Sequence, residues 1–242
     1  CQHGAHRSRR SASRSETTAN PDSGHADPHE TLPRMTTRRR LAVTTAVALA
    51  ASTLAGCVLP ARVLVIGDSI HSQPDSWVAR ITCTTAVVRA VPGRAVATRT
   101  LGSSWIDAVG EAYDGLADPP TTVIVAAGLN DITSGITAGR VATVMDMMEA
   151  RLRGRGATTI RFATITPLSP EAGATLEALG YTWWRAARAE WNRLALARGG
   201  VDAGGALGDT LDPVEDSGDG VHPGSEGHRL IAAAVNGDWC PA

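Results

Sequence analysis

Lysine is absent from this chain: all 23 basic residues among its 242 are arginine. With alanine and glycine abundant, a GC-rich coding sequence accounts for this better than any functional demand. An excess of basic charge is missing too. The formal net charge is −1, and this argues against nucleic-acid binding, which usually shows as a strong basic surplus. Four cysteines are too few for a disulfide-dense small scaffold. No apolar run reaches the ~18 residues of a spanning helix. What is present, 43% hydrophobic residues but only 4% aromatic, suits one medium-sized globular domain with a sizeable core.

Residues 1–34 hold four of the seven histidines among Ser, Arg and Pro, with almost no apolar residues and no period. Such a stretch cannot bury a core. At Met35 the character changes. Thr36 to Arg40 is a basic n-region, Leu41 to Leu54 an uncharged apolar segment, and Leu54-Ala55-Gly56-Cys57 follows. That order is expected of a secretory signal peptide over 35–56. Met35 is then the expected start, with 1–34 either a disordered extension or a mis-assigned upstream translation. The ending resembles a bacterial lipobox, in which Cys57 carries lipid and becomes the mature N-terminus. The alternative is an ordinary cut near Ala50. A lipidated Cys57 would hold the domain at a membrane surface without a spanning helix, and export is expected either way. Cys83 and Cys240 then remain as an even pair in a disulfide-permissive compartment, and a bridge between them is expected. The alternative is two buried thiols.

From Arg62 onward strands and helices alternate. Val63 to Ile66 is a continuous apolar run expected of a strand buried on both faces. Strands are also expected at Ala86 to Val88, Val123 to Ala126, Thr159 to Ile165 and, weakly, Gly200 to Asp202. Helices are expected at Trp77 to Thr82, Ser104 to Tyr113, Thr137 to Arg153, Trp183 to Arg198 and Ser225 to Val235. Strands alternating with helices mean βαβ units around a parallel sheet. The expected fold is α/β, three layers with a roughly five-stranded parallel sheet, and 57–242 forms one domain.

In such sheets ligands sit at the C-terminal strand ends, and three short sequences fall there. Gly67-Asp68-Ser69-Ile70 follows the first strand, although Gly, Asp and Ser are also ordinary turn formers. Gly128-Leu129-Asn130-Asp131 follows the third, where Asn130 could set an amide beside Ser69 or simply cap a helix. Asp219-Gly220-Val221-His222 precedes the last helix and could supply a base with its orienting carboxylate. Alone, it reads better as a surface loop with a histidine.

Together, these segments resemble the SGNH or GDSL-type hydrolase family across residues 62–237. Gly67-Asp68-Ser69 matches the first block, with Ile70 where Leu is usual. Gly93 matches the block-two glycine, Gly128 to Asp131 the Gly-x-Asn-Asp block with Leu129 where Thr is frequent, and Asp219 to His222 the Asp-x-x-His block. The resemblance implies a flavodoxin-like SGNH fold and a serine esterase or lipase without a cofactor. It implies Ser69 as nucleophile, His222 as base and Asp219 as its orienter. It implies an oxyanion hole from the N–H groups of Ser69 and Gly93 and the amide of Asn130. Elimination agrees with His222. After the leader only His71, His222 and His228 remain; His71 shares the turn of Ser69, and His228 reads as a solvated or capping residue. Asp68 and Asp131 read as loop-holding carboxylates.

No spacing of histidines and cysteines suits a metal, and there is no phosphate loop or dinucleotide fingerprint. Trp183, Trp184 and Trp191 read as core, whereas Trp77 and Trp105 are the expected substrate walls. The leading expectation is an exported, monomeric serine esterase acting on small-acyl or lipid-type esters, with a small-molecule, glycan or lipid ester as its partner. A surface lipoprotein that binds glycan or lipid without turnover, and an acyltransferase on the same fold, are the alternatives. Without residues 1–56 the chain holds 15 arginines against 20 acidic residues, a net charge of −5, which strengthens the case against nucleic acid.

Overall fold

The computed structural model describes residues 62–99 and 102–240. The expected extension at 1–34, the signal segment 35–56 and Cys57 lie outside the described residues. Strands β1 (Arg62–Gly67), β2 (Thr85–Ala90), β3 (Thr122–Ala126) and β4 (Thr159–Phe162) form a parallel sheet in the order β2-β1-β3-β4. Helices are α1 (Trp105–Ala108), α2 (Leu129–Thr133), α3 (Ala138–Arg153), α4 (Pro170–Ala178), α5 (Trp184–Ala197) and α6 (Ser225–Trp239).

The strands alternate between two cores. Leu64, Ile66, Val123 and Val125 pack with Met145 and Met148 of α3 and with Trp191 of α5. Val63, Val65, Ile124 and Ala126 pack on the opposite face with Trp77 and with Ile231 and Val235 of α6. Burial on both faces explains why β1 and β3 are continuous apolar runs. The result is the expected three-layer α/β arrangement. β2 is an edge strand and is only half buried.

The weak fifth strand shrinks to a single parallel bridge, Ala163↔Val201. Val201 donates to Phe162 C=O at 3.0 Å and accepts from Thr164 N–H at 2.8 Å, but Asp202 then turns its carboxylate back onto Thr164 Oγ1 and Gly205 N–H. The helix expected at Trp77–Thr82 is one 3-10 turn, Trp77–Arg80. It ends because Thr82 N–H is taken by Asn236 Oδ1 of α6 at 3.0 Å and Cys83 is tied to Cys240. A disulfide joins those two cysteines, 157 positions apart, with Cα atoms 5.3 Å apart. The helix expected over 104–113 divides after Ala108 into α1 and a 3-10 turn, Val109–Ala112. α4 was not expected, although Ser169 caps it and Pro170 opens it, a recognisable helix-start pattern.

No helix among the described residues is long and apolar enough to cross a membrane. The order of the sheet sets the place of the site. β2 lies to one side of β1 and β3 to the other, so the connections diverge between β1 and β3 and open a crevice at their C-terminal ends. Gly67 and Ala126 are register partners there. Ser69 and Gly128 therefore each leave the sheet two residues beyond the same level.

Candidate active site

Ser69 sits in the turn that follows β1, half buried. The turn is closed by His71 and Ser72 N–H groups donating to Asp68 C=O, at 3.2 and 3.1 Å, and by Ile70 N–H donating to Asp68 Oδ1 at 3.1 Å. Gly67 must be glycine, because a Cβ there would lie 2.5 Å from the Cβ of His71.

Across the crevice, the loop before α6 brings His222 to the serine. Its Nε2 lies 2.8 Å from Ser69 Oγ, and its Nδ1 lies 2.6 Å from Asp219 Oδ2. The other oxygen of Asp219 accepts the N–H groups of Val221 at 2.9 Å and His222 at 2.8 Å. Burial pushes the Asp219 carboxyl up, but these N–H donors and the imidazole more than offset it and hold it at about 2. An ionised Asp219 takes the Nδ1–H and leaves the Nε2 lone pair as acceptor for the Ser69 hydroxyl. The loop is anchored by Ser169 N–H donating to Gly220 C=O at 2.8 Å and by Gly220 N–H donating to Asp216 Oδ2 at 2.7 Å.

Gly93 follows β2 with φ 73°. Asn130 stands in the first turn of α2, and its amide donates to Arg94 C=O at 3.5 Å, which sets it at the Gly93 loop. Gly128, at φ 146°, permits the abrupt entry into α2; a Cβ would also come within 2.6 Å of the Trp191 ring. Asp131 is fully buried and accepts from the N–H groups of Val96, Ala97 and Thr98 at 2.6, 2.8 and 3.1 Å and from Thr98 Oγ1 at 3.0 Å. Burial raises its carboxyl above the usual range against the pull of those four donors. One carboxylate thus stitches the loop after β2 to the start of α2.

Beside Asp219, a cleft of about 490 Å³ opens between α2, α4 and the loop before α6. Leu129, Leu168, Ala172, Leu176 and Val221 give it apolar walls, and Glu171 lines it as well. Among the described residues no group of His, Cys, Asp or Glu is placed to hold a metal ion.

Three expectations are corrected here. Trp77 and Trp105 are not cleft walls: both are buried in the core, where the Trp105 indole donates to Gly67 C=O at 3.0 Å. His228 is not solvated; it caps the 3-10 turn Trp77–Arg80. It is fully buried, and its Nδ1 accepts the Trp77 backbone N–H at 3.3 Å. Burial, followed by the nearby His71, pushes its imidazole down to about 4. Trp184 and Trp191 are buried as expected, while Trp183 is half buried and donates to Ile132 C=O at 3.0 Å. The apolar wall supplied by α4 escaped sequence reading, although Ser169-Pro170-Glu171 announced the helix.

Comparison with known proteins decides the family. The profile of the GDSL-like Lipase/Acylhydrolase family matches residues 65–230. The chain belongs to that family. This GDSL-like domain has the fold of LAE5, an alpha/beta hydrolase enzyme from the metagenome of Lake Arreo, Spain. The two are 19% identical with TM-score 0.53, covering 75% of this chain and 95% of that chain. The native M. Smegmatis aryl esterase is 17% identical with TM-score 0.55, covering 73% of this chain and 96% of that one. A member of the lipolytic protein G-D-S-L family from Veillonella parvula DSM 2008 is 19% identical with TM-score 0.51, covering 72% and 94%. At such identities these structures speak for the fold alone. No curated protein matches the chain.

Proposed function

We propose that this GDSL-like hydrolase is an exported serine esterase that cleaves carboxylic esters through an acyl-enzyme on Ser69. The observation that carries the reading is the continuous chain from Ser69 Oγ through His222 to Asp219, at 2.8 and 2.6 Å. Ser69 Oγ attacks the ester carbonyl as its proton passes to His222 Nε2, and Asp219 stabilises the imidazolium that forms. The tetrahedral oxygen turns toward the N–H groups of Ser69 and Gly93 and the Asn130 amide. Each such donor typically contributes roughly 3–4 kcal/mol to the transition state. The C–O bond of the ester then breaks, His222 returns the proton to the leaving alcohol, and water repeats the sequence to free the acid.

The apolar cleft next to Asp219 and Val221 suits the acyl portion of the ester. Its size accommodates more than an acetyl group, so lipid-type as well as small-acyl esters fall within the reading. The leader-like segment 35–56 supports export.

The test uses the full chain with p-nitrophenyl esters from acetate to palmitate, beside Ser69→Ala, assayed in purified form and in secreted and membrane fractions. Turnover abolished by the substitution, with the acyl-length profile peaking beyond acetate, is the expected result. A folded wild type that neither hydrolyses any ester nor reacts at Ser69 with a fluorophosphonate overturns the reading.

A further inference from the structure

Trp105 is buried, yet its contacts are not those of a core filler. Gly67 C=O, two residues before Ser69, accepts two hydrogen bonds: from Val91 N–H at 3.2 Å and from the Trp105 indole N–H at 3.0 Å. The Trp105 backbone N–H donates in turn to Ala95 C=O at 2.9 Å, and that of Ile106 to Val96 C=O at 2.9 Å. One residue thus bonds both the end of β1 and the strand of chain that leaves Gly93.

Arg94, the residue after Gly93, completes the arrangement. Its guanidinium lies over the Trp105 ring, 4.6 Å from the centroid, and pairs with Glu111 at 2.8 Å. Glu111 belongs to the 3-10 turn that continues α1, so Trp105 and Glu111 are held on one short rigid segment. The carbonyl of Arg94 is the acceptor for the Asn130 amide. Each of the three groups placed in the oxyanion hole is therefore within a residue or two of a group bonded to Trp105 or Arg94.

We propose that Trp105, Arg94 and Glu111 form a positioning unit that sets the spacing of the Ser69 turn, the Gly93 loop and the Asn130 amide. This rests on the esterase reading of the site. The physical case lies in a mismatch between cost and effect. The Arg94 side chain is 14% exposed and that of Glu111 57%, so their ion pair adds little to stability. It nevertheless holds the guanidinium on the indole, and donors displaced by a fraction of an ångström lose their grip on a developing oxyanion. The unit acts on the transition state and leaves ground-state binding in the apolar cleft untouched.

The full-length wild type, Trp105→Phe, Glu111→Gln and Arg94→Met are compared on a p-nitrophenyl ester, with competent sites counted by fluorophosphonate labelling of Ser69. Trp105→Phe keeps a buried ring and loses the indole N–H. Its kcat per labelled serine is expected to fall about tenfold, and those of Glu111→Gln and Arg94→Met about threefold. KM stays within about twofold, and affinity for a trifluoromethyl ketone, which forms the tetrahedral oxyanion, falls in the same proportion as kcat/KM. If Trp105→Phe does not fold, Glu111→Gln and Arg94→Met carry the test. Wild-type kcat per labelled serine in the folded variants, or losses confined to KM, overturn the inference. A wild type without turnover overturns the esterase reading instead.

Discussion

Two Asp-x-x-His segments lie at the C-terminal edge of the sheet, Asp68 to His71 and Asp219 to His222. In both, the histidine Nδ1 pairs with the aspartate, at 3.1 and 2.6 Å, and the residue two places on donates its N–H to the same carboxylate. They part in their surroundings. The side chains of His71 and Asp68 are 8% and 3% exposed, and His71 meets Trp77 edge to face at 5.7 Å. Those of His222 and Asp219 are 26% and 52% exposed, and His222 Nε2 faces Ser69 Oγ. A carboxylate–imidazole pair becomes a base by what its far nitrogen meets. One pair is packed into the turn and holds it. The other lies on a rim open to substrate and solvent.

Substitution of the two rings is expected to have the largest effects. His222→Gln removes the proton acceptor, and kcat is expected to fall by about 10³- to 10⁶-fold with little change in thermal stability. His71→Phe keeps an aromatic edge against Trp77 and loses the bond to Asp68. It is expected to lower stability by about 1–3 kcal/mol while kcat per folded molecule changes only a few-fold. Steady-state kinetics beside chemical denaturation separate the two. Equal losses of kcat would mean that both pairs serve the chemistry.

A smaller effect comes from the aspartates. Asp219→Asn cannot impose the same tautomer on His222 and should lower kcat by about 10²- to 10⁴-fold, with stability nearly unchanged because the carboxylate is half exposed. Asp68→Asn keeps an oxygen for both buried donors, which meet the same Oδ1, but loses the charge that strengthens those bonds, and should cost about 1 kcal/mol of stability. Urea unfolding and kcat measured on the same preparations give the check, and reversal of the two patterns would overturn the assignment of roles.

The smallest expected effect is at a third histidine. His228 is held at about 4, below the ~6.5 of an unfolded chain, so it is neutral in the folded state while the unfolded state takes up a proton. Its contribution is fully present above pH 6.5 and is lost as pH falls from 6.5 to about 4, a change on the order of 3 kcal/mol. Asp75 opposes the shift, and His71, Arg80 and His222 favour it. His228→Asn offers an oxygen to the Trp77 N–H without titrating. The fall in unfolding midpoint between pH 6.5 and 4 should be shallower in this variant. An identical fall would remove His228 as its source.

Much of the architecture was legible in local pattern. Val63 to Ile66 and Val123 to Ala126 announced buried strands because burial on both faces demands an unbroken apolar run. The three motif segments followed those strands, and so the crevice, the serine and the family were within reach. Short-range chemistry misled at the edges. Gly200 to Asp202 reads as a weak strand, but the Asp202 side chain closes a turn after one bridging residue. Trp77 and Trp105 lie near the motif segments in the chain, which suggests cleft walls, but the fold turns both into the core.

Local sequence sufficed for the order of β1 to β4 and of the long helices α3, α5 and α6, for the turn chemistry around Ser69, and for Ser69, His222 and Asp219 as candidate nucleophile, base and orienter. Apolar periodicity and turn preference are properties of a few neighbouring residues, and they survive in a linear reading. Three-dimensional packing was needed to show that the Asp68–His71 pair is buried beside Trp77, that α4 lines the apolar cleft, and that His228 is buried against a backbone N–H 151 positions away. Those outcomes depend on which distant groups exclude water from a side chain, and no window of sequence contains both partners.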